Sequence, residues 1–149
     1  MSKGELLSKA IHLATNAHHG QFDKGGNPYI LHVLAVMNLL ENPDEELQTI
    51  ALLHDVIEDT DTTFQDLRDA GFSDRVVDAV GLLTKMPGQT YEEYKAGVFS
   101  NSDAMRVKAA DLTHNSDIRR LKGISERDIQ RMARYHQFFL EIQSRLKTD

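Results

Sequence analysis

The sequence has 149 residues, of which 40% are apolar and 27% charged, and it carries a formal charge of −6 at pH 7. That length fits one domain with a worthwhile core, no apolar run is long enough to span a membrane, and the acidic balance excludes a broad nucleic-acid-binding face, which needs clustered Lys and Arg. There is no cysteine, which excludes disulfides, thiolate nucleophiles and zinc–thiolate clusters and leaves His and carboxylates as the ligands for any metal.

The N-terminal residues run straight into an amphipathic pattern with no apolar signal region, so a cytoplasmic protein is expected. Alternating β-branched runs are missing and helix starts recur, so residues 1–149 read as a single all-α domain of about seven or eight helices. The first helix, about 4–17, carries an apolar stripe of Leu6, Leu7, Ala10, Ile11 and Ala14. Residues 20–28, with Gly25-Gly26-Asn27-Pro28, read as a loop.

A second helix is predicted over about 29–40, ended by Asn42-Pro43. Asp44 caps a third, which carries Leu47, Ile50, Ala51, Leu52 and Leu53 and delivers His54-Asp55 near its C-terminal end. Thr63 with Asp66 opens a short helix that stops at Gly71, and Ser73 caps another that runs to about Leu83. Thr90 with Glu93 forms a capping box, Asn101-Ser102 restarts the pattern, and a helix over about 103–114 brings in Asp111. Ser125 to Asp128 opens a long last helix through about Leu146. Short connections imply compact, mainly antiparallel packing.

The informative segment is His54-Asp55-Val56-Ile57-Glu58-Asp59. If the helical turn continues through it, His54 and Glu58 are neighbours, as are Asp55 and Asp59, while Val56 and Ile57 face the core. His54 and Asp55 can both ligate one cation, His through a neutral imidazole nitrogen and Asp through oxygen. The missing ligands can come from His32, near the start of the second helix, and from Asp111. Two imidazoles and two carboxylates suit Mn²⁺ or Fe²⁺, with Zn²⁺ as an alternative and Mg²⁺ less natural. Glu58 and Asp59 are then left to move protons between water and a leaving oxygen, in roles the spacing does not divide.

His32, His54-Asp55, Glu58-Asp59 and Asp111 with Asn115 resemble the HD-domain hydrolases of the RelA/SpoT type, most closely the single-domain small alarmone hydrolases. The resemblance runs through three ordered blocks: Ala17 to Gln21 continuing into Gly26 to His32, then Ala51 to Thr60, then Val107 to Asn115. It implies an all-α HD fold, one Mn²⁺, and removal of the 3′-pyrophosphate from guanosine tetra- or pentaphosphate. It further implies that Glu58 and Asp59 carry the catalytic step. Lys24, Lys108 and Asn115 become the candidate substrate-binding residues, with Lys24 approaching phosphate and Asn115 the sugar or phosphate. The chain departs from the family pattern at Phe22-Asp23, where an arginine usually precedes the lysine, at Ser116-Asp117-Ile118 after Asn115, and at Val33, where proline usually follows the histidine.

Blander readings exist for single residues. An isolated His-Asp pair is commonly a surface pair, His32 could simply bond a neighbouring loop, and Lys24 and Lys108 could be solvated cations. His12, His18, His19, His114 and His136 are available as decoys, of which His19 and His114 are the best candidates to support a ligand. Tyr91, Tyr94, Phe99, Tyr135, Phe138 and Phe139 read as core and helix-contact residues, of which only one near the metal mouth could stack on a base. Competing functions are an HD-domain phosphatase acting on another nucleotide or phosphorylated metabolite, and a non-catalytic nucleotide-sensing module. The expected partner is a small phosphorylated nucleotide, without extended nucleic acid or membrane, and the apolar helix faces leave room for a homo-oligomer.

Overall fold

A computed structural model describes residues 2–148. Among these residues the secondary structure is helical apart from one isolated bridge between Phe22 and Pro28. The helices are α1 (Glu5–Ala17), α2 (Ile30–Asn38), α3 (Glu45–Leu53), α4 (Val56–Asp59), α5 (Phe64–Asp69), α6 (Asp74–Leu83), α7 (Tyr91–Phe99), α8 (Ser102–Asn115) and α9 (Glu126–Thr148), with a 3₁₀ turn at Ile118–Arg120. No described helix is long and apolar enough to cross a membrane.

The helix starts follow the capping residues. Asp44, Ser73 and Asn101 each accept a backbone N–H from the first turn of α3, α6 and α8, and full capping boxes form at Thr63 with Asp66 and at Thr90 with Glu93. Each satisfies donors that a helix N-terminus would otherwise leave unpaired. The start of α1 is handled differently, because Glu45 at the head of α3 accepts the N–H groups of Gly4 and Leu7 and so fixes the two helices together.

Helix α3 is the centre of the molecule. Leu47, Thr49, Ile50, Ala51, Leu52 and Leu53 are all buried, a helix apolar nearly all round, and it packs against α1, α2, α6 and α8. A second layer forms where α9 lies on α8 and α7. There the fully buried Phe138 takes edge contacts from Tyr91, Tyr94 and Phe99, so these rings are packing residues as expected.

One expectation about local structure is corrected. Helix α3 does not continue through His54-Asp55 but stops at Leu53, and α4 restarts at Val56 as a single turn. Adjacent residues on a continuous helix point about 100° apart, so two neighbouring side chains could not aim at one point. The break, with Asp55 at φ −108° and ψ −2°, lies in the bridge region where active-site residues often sit and turns both toward the same place.

Candidate metal centre

Four side chains from three parts of the chain converge: His32 from the first turn of α2, His54 and Asp55 from the break before α4, and Asp111 from α8. One ligand atom from each lies within 4.8 Å of all the others. His32 Nε2 is 2.9 Å from Asp111 Oδ1 and 3.7 Å from Asp55 Oδ2. His54 Nε2 is 3.0 Å from Asp55 Oδ2 and 3.4 Å from Asp111 Oδ1. Both rings and Asp111 are buried, while Asp55 keeps slight access to solvent.

Neighbouring groups hold these side chains, His54 and Asp111 Oδ2 from outside the cluster, and Asp55 Oδ2 and Asp111 Oδ1 on the oxygens that also face it. His54 Nδ1 donates to the carbonyl of Ala51 at 2.6 Å, and a carbonyl can only accept, so the Nδ1 proton is fixed and Nε2 turns inward. That Nε2 is buried without a hydrogen-bond partner. The Tyr29 hydroxyl donates to Asp55 Oδ2 at 2.6 Å, Lys108 Nζ to Asp111 Oδ2 at 2.9 Å, and Asn115 Nδ2 to Asp111 Oδ1 at 3.0 Å. Such partners orient metal ligands and tune their basicity.

The electrostatics agree with a site for positive charge. Burial would lower the pKa of His54, but Asp55 and Asp111 outweigh it and hold the ring well above its ordinary value. Burial would raise Asp111, yet Lys108 and the two imidazoles hold it well below the usual carboxylate range. An orphaned inward nitrogen and two carboxylates that demand a cation are what a divalent ion would satisfy, and the mixed N/O donor set fits one.

The remaining site residues of the sequence reading fall into three groups. Asn115 touches the cluster through Asp111 and also lines the neighbouring cavity, which Lys24 lines too. Glu58 and Asp59 keep solvent access on α4; Glu58 Oε1 accepts the backbone N–H of Lys85 at 2.7 Å, and partial desolvation of the Asp59 carboxyl group together with Asp55 and Glu58 pushes Asp59 up to about 6. Lys108 points inward, its ammonium against Asp111 and over the rings of Tyr94 and Phe138. His114 meets His32 edge to edge, Nδ1 to Nδ1 at 2.8 Å, while His19 is exposed.

Tyr29 is not among the site residues expected from the sequence, and His18 is counted there only as a decoy. Tyr29 sits three positions before His32 at the head of α2, a spacing that puts both on one helix face, and that register was the available signal. His18 is buried against the Tyr29 ring with Nδ1 on Gln21, and burial lowers its pKa. Nothing in its sequence context separates it from the exposed His19.

Beside the cluster lies a cavity of about 280 Å³ lined by Tyr29, Asn115, Lys24, Arg120, Phe22 and Tyr135, among others. Its loop wall is seated on the 3₁₀ turn: a Cβ on Gly25 would stand 2.1 Å from the Arg120 carbonyl oxygen, so only glycine permits the approach. Asp23 caps the loop by accepting the N–H groups of Gly25 and Asn27 and also accepts from Arg120 at 3.1 Å. Arg120 in turn donates to Asn115 Oδ1 at 2.9 Å. A continuous set of bonds therefore joins the loop to Asp111.

Comparison with known proteins points the same way. A family model described as HD domain matches residues 10–126. A guanosine-3′,5′-bis(diphosphate) 3′-pyrophosphohydrolase of Vibrio cholerae serotype O1 is 38% identical over 124 residues, covering 74% of this chain and 17% of the relative. The bifunctional (p)ppGpp synthase/hydrolase SpoT of Escherichia coli K12 is 34% identical over 122 residues, with 73% and 17% covered. A GTP pyrophosphokinase of Myxococcus xanthus is 32% identical over 144 residues, with 87% and 19% covered. The chain thus spans 17 to 19% of the length of these relatives. A solved structure described as a metazoan ortholog of SpoT that hydrolyses ppGpp has the same fold, with a TM-score of 0.78, 23% identity, and coverage of 95% of this chain and 87% of that one.

Proposed function

The chain belongs to the HD-domain family, and we propose that it is a divalent-metal-dependent pyrophosphohydrolase that removes the 3′-pyrophosphate from a guanosine tetra- or pentaphosphate. The observation that carries the reading is the four-ligand cluster opening beside a cavity lined by both cations and aromatic rings. Relatives over most of the chain's length bear the name of that reaction.

His32, His54, Asp55 and Asp111 would hold the ion, and we assign Mn²⁺ from the mixed imidazole and carboxylate set. What the ion supplies when bound is neutralisation of phosphoryl charge and acidification of water. The residues of the chain do the rest. Lys24 at the cavity wall binds phosphate, Asn115 orients the sugar or phosphate beside Asp111, and Phe22 or Tyr135 offers a ring to the base. In the hydrolysis, the oxygen of water joins phosphorus, the bond to the 3′ oxygen breaks, and one proton passes to that oxygen. Asp59 suits the proton transfer, because a carboxyl that titrates at about 6 both takes and returns a proton near neutral pH. Glu58, whose Oε1 accepts the Lys85 N–H at 2.7 Å, is the second carboxylate for that step.

The test is Mn²⁺-dependent release of pyrophosphate from guanosine tetraphosphate by the native chain and by separate Asp55→Ala and Glu58→Ala variants. Release that is lost in both supports the reading. A nucleoside 5′-monophosphate cleaved faster than the 3′-pyrophosphate overturns the substrate assignment, and nucleotide binding without turnover under Mn²⁺ overturns the enzymatic one.

A further inference from the structure

The imidazoles of His32 and His114 meet edge to edge, Nδ1 to Nδ1 at 2.8 Å, with centroids 5.0 Å apart and planes 26° from parallel. Two facing ring nitrogens at that distance share one proton. Two protons would point at each other, and none would set lone pair against lone pair. The position of this proton decides what the far side of His32 presents, since a neutral imidazole carries only one N–H.

If His114 is the donor, the proton of His32 sits on Nε2 and is donated to Asp111 Oδ1, 2.9 Å away. If His32 is the donor, its Nε2 is a bare lone pair directed into the four-residue cluster. The first arrangement pairs His32 with Asp111 without an ion, and the second is the one a cation requires. His54 has no such choice, because its Nδ1 faces the carbonyl of Ala51.

We propose that His114 is a positioning residue that switches the tautomer of His32, taking up the role of hydrogen-bond acceptor when the cluster receives a divalent cation. The inference rests on the reading of the cluster as a metal site. In the switch, the Nε2 proton of His32 leaves to solvent, the shared proton passes from His114 Nδ1 to His32 Nδ1, and a proton from solvent joins His114 Nε2. The two rings carry two protons before and after, so the change moves protons without altering the charge of the pair. Arg120, which donates to the His114 carbonyl at 3.1 Å, pins the backbone at this position, so the contact is built into the end of α8.

The experiment combines ¹⁵N NMR of the histidine rings with calorimetric titration by Zn²⁺, a diamagnetic probe. In the native chain, His32 is expected to change from the Nε2–H to the Nδ1–H form on adding Zn²⁺, with His114 moving to Nε2–H. His114→Phe keeps a ring but removes the acceptor, and its Zn²⁺ affinity is expected to fall about 10- to 100-fold. His114→Asn, whose side-chain oxygen can occupy the place of Nδ1, is expected to recover most of that loss. The Asn variant and the native NMR spectra keep the test decisive if the Phe variant misfolds. A native chain that binds no Zn²⁺ overturns the metal-site reading and this inference with it. Native binding that His114→Phe leaves unchanged, or a metal-loaded His32 without its Nδ1 proton, overturns the role of His114 alone.

Discussion

Tyr29 donates its hydroxyl proton to Asp55 Oδ2 at 2.6 Å, across 26 positions of sequence, and this bond joins the head of α2 to the break between α3 and α4. Burial, with Asp55 close by, raises the Tyr29 pKa, so the phenol remains a donor over the accessible pH range. The carboxylate gains a fixed direction from it, and the cavity gains a wall.

Tyr29→Phe is therefore expected to keep the fold and lose the orientation of Asp55. A hydrogen bond to a charged group is worth about 1.5–3 kcal/mol, and loss of a group that orients a metal ligand costs roughly 10- to 100-fold in affinity or activity. Mn²⁺ titration followed by electron paramagnetic resonance would measure the first effect and pyrophosphate release the second. Unchanged values for both would reduce Tyr29 to a packing residue.

Lys108 leads to a prediction about stability. Its ammonium is the direct partner of Asp111 Oδ2, with side-chain exposures of 16% and 7%, too deep for water to replace it. Lys108→Met leaves a buried carboxylate short of its counter-charge, a change that costs about 3–5 kcal/mol where a pair is well buried. The sign with pH follows from Asp111, whose folded pKa is depressed below its ordinary 3.8. The pair's contribution is fully present above that ordinary value and is lost as pH falls through the lower folded one. Urea denaturation of the metal-free protein should show a native-to-variant gap that is wide at pH 7 and narrows below about pH 4. A gap independent of pH would mean that packing of the lysine stem, not its charge, is what matters.

The helices were legible because their starts are written in local chemistry. Asp44, Thr63, Ser73, Thr90 and Asn101 each accept the backbone N–H that their position foretells. The meeting of His32, His54, Asp55 and Asp111 was foreseeable from motif order. The break at His54-Asp55 was not, since no glycine or proline marks it, and it falls between Leu53 and Val56, which are both fully buried in the core. The same limit applies to Lys108. Its position one turn before Asp111 allowed contact, but that the ammonium also lies over the rings of Tyr94 and Phe138 is set by tertiary packing that the local sequence does not carry.

Metal binding should be visible as stability. Ion that binds only the folded state at about 100 times its dissociation constant adds about 2.7 kcal/mol, and a domain of this size gains roughly 2–4 °C in Tm per kcal/mol. Thermal melts with Mn²⁺ and with a chelator should differ by that order for the native chain. Asp111→Asn, which removes a ligand charge, should bring the two melts together. A Tm difference that survives this change would place the ion elsewhere.

Asp59, in the proton-transfer role proposed for it, sets function against stability. Its pKa stands at about 6 against an ordinary 3.8, raised by burial and by the charges of Asp55 and Glu58. A carboxyl whose folded pKa lies above its unfolded value is bound to more protons when folded, so the protein loses stability as pH rises from about 4 to about 6 and carries the full penalty above. Asp59→Asn removes the charge that causes it. The variant, without metal, should be more stable than the native chain at pH 8 by about 1 kcal/mol, a figure discounted for solvent screening at this exposed position. At pH 4 the two should melt together, because Asp59 is then already neutral. Pyrophosphate release by the same variant should fall by at least 100-fold, the usual order for loss of a general acid or base. Stabilisation at pH 8 with turnover retained would leave the raised pKa as a by-product of crowded carboxylates and pass the proton transfer to Glu58.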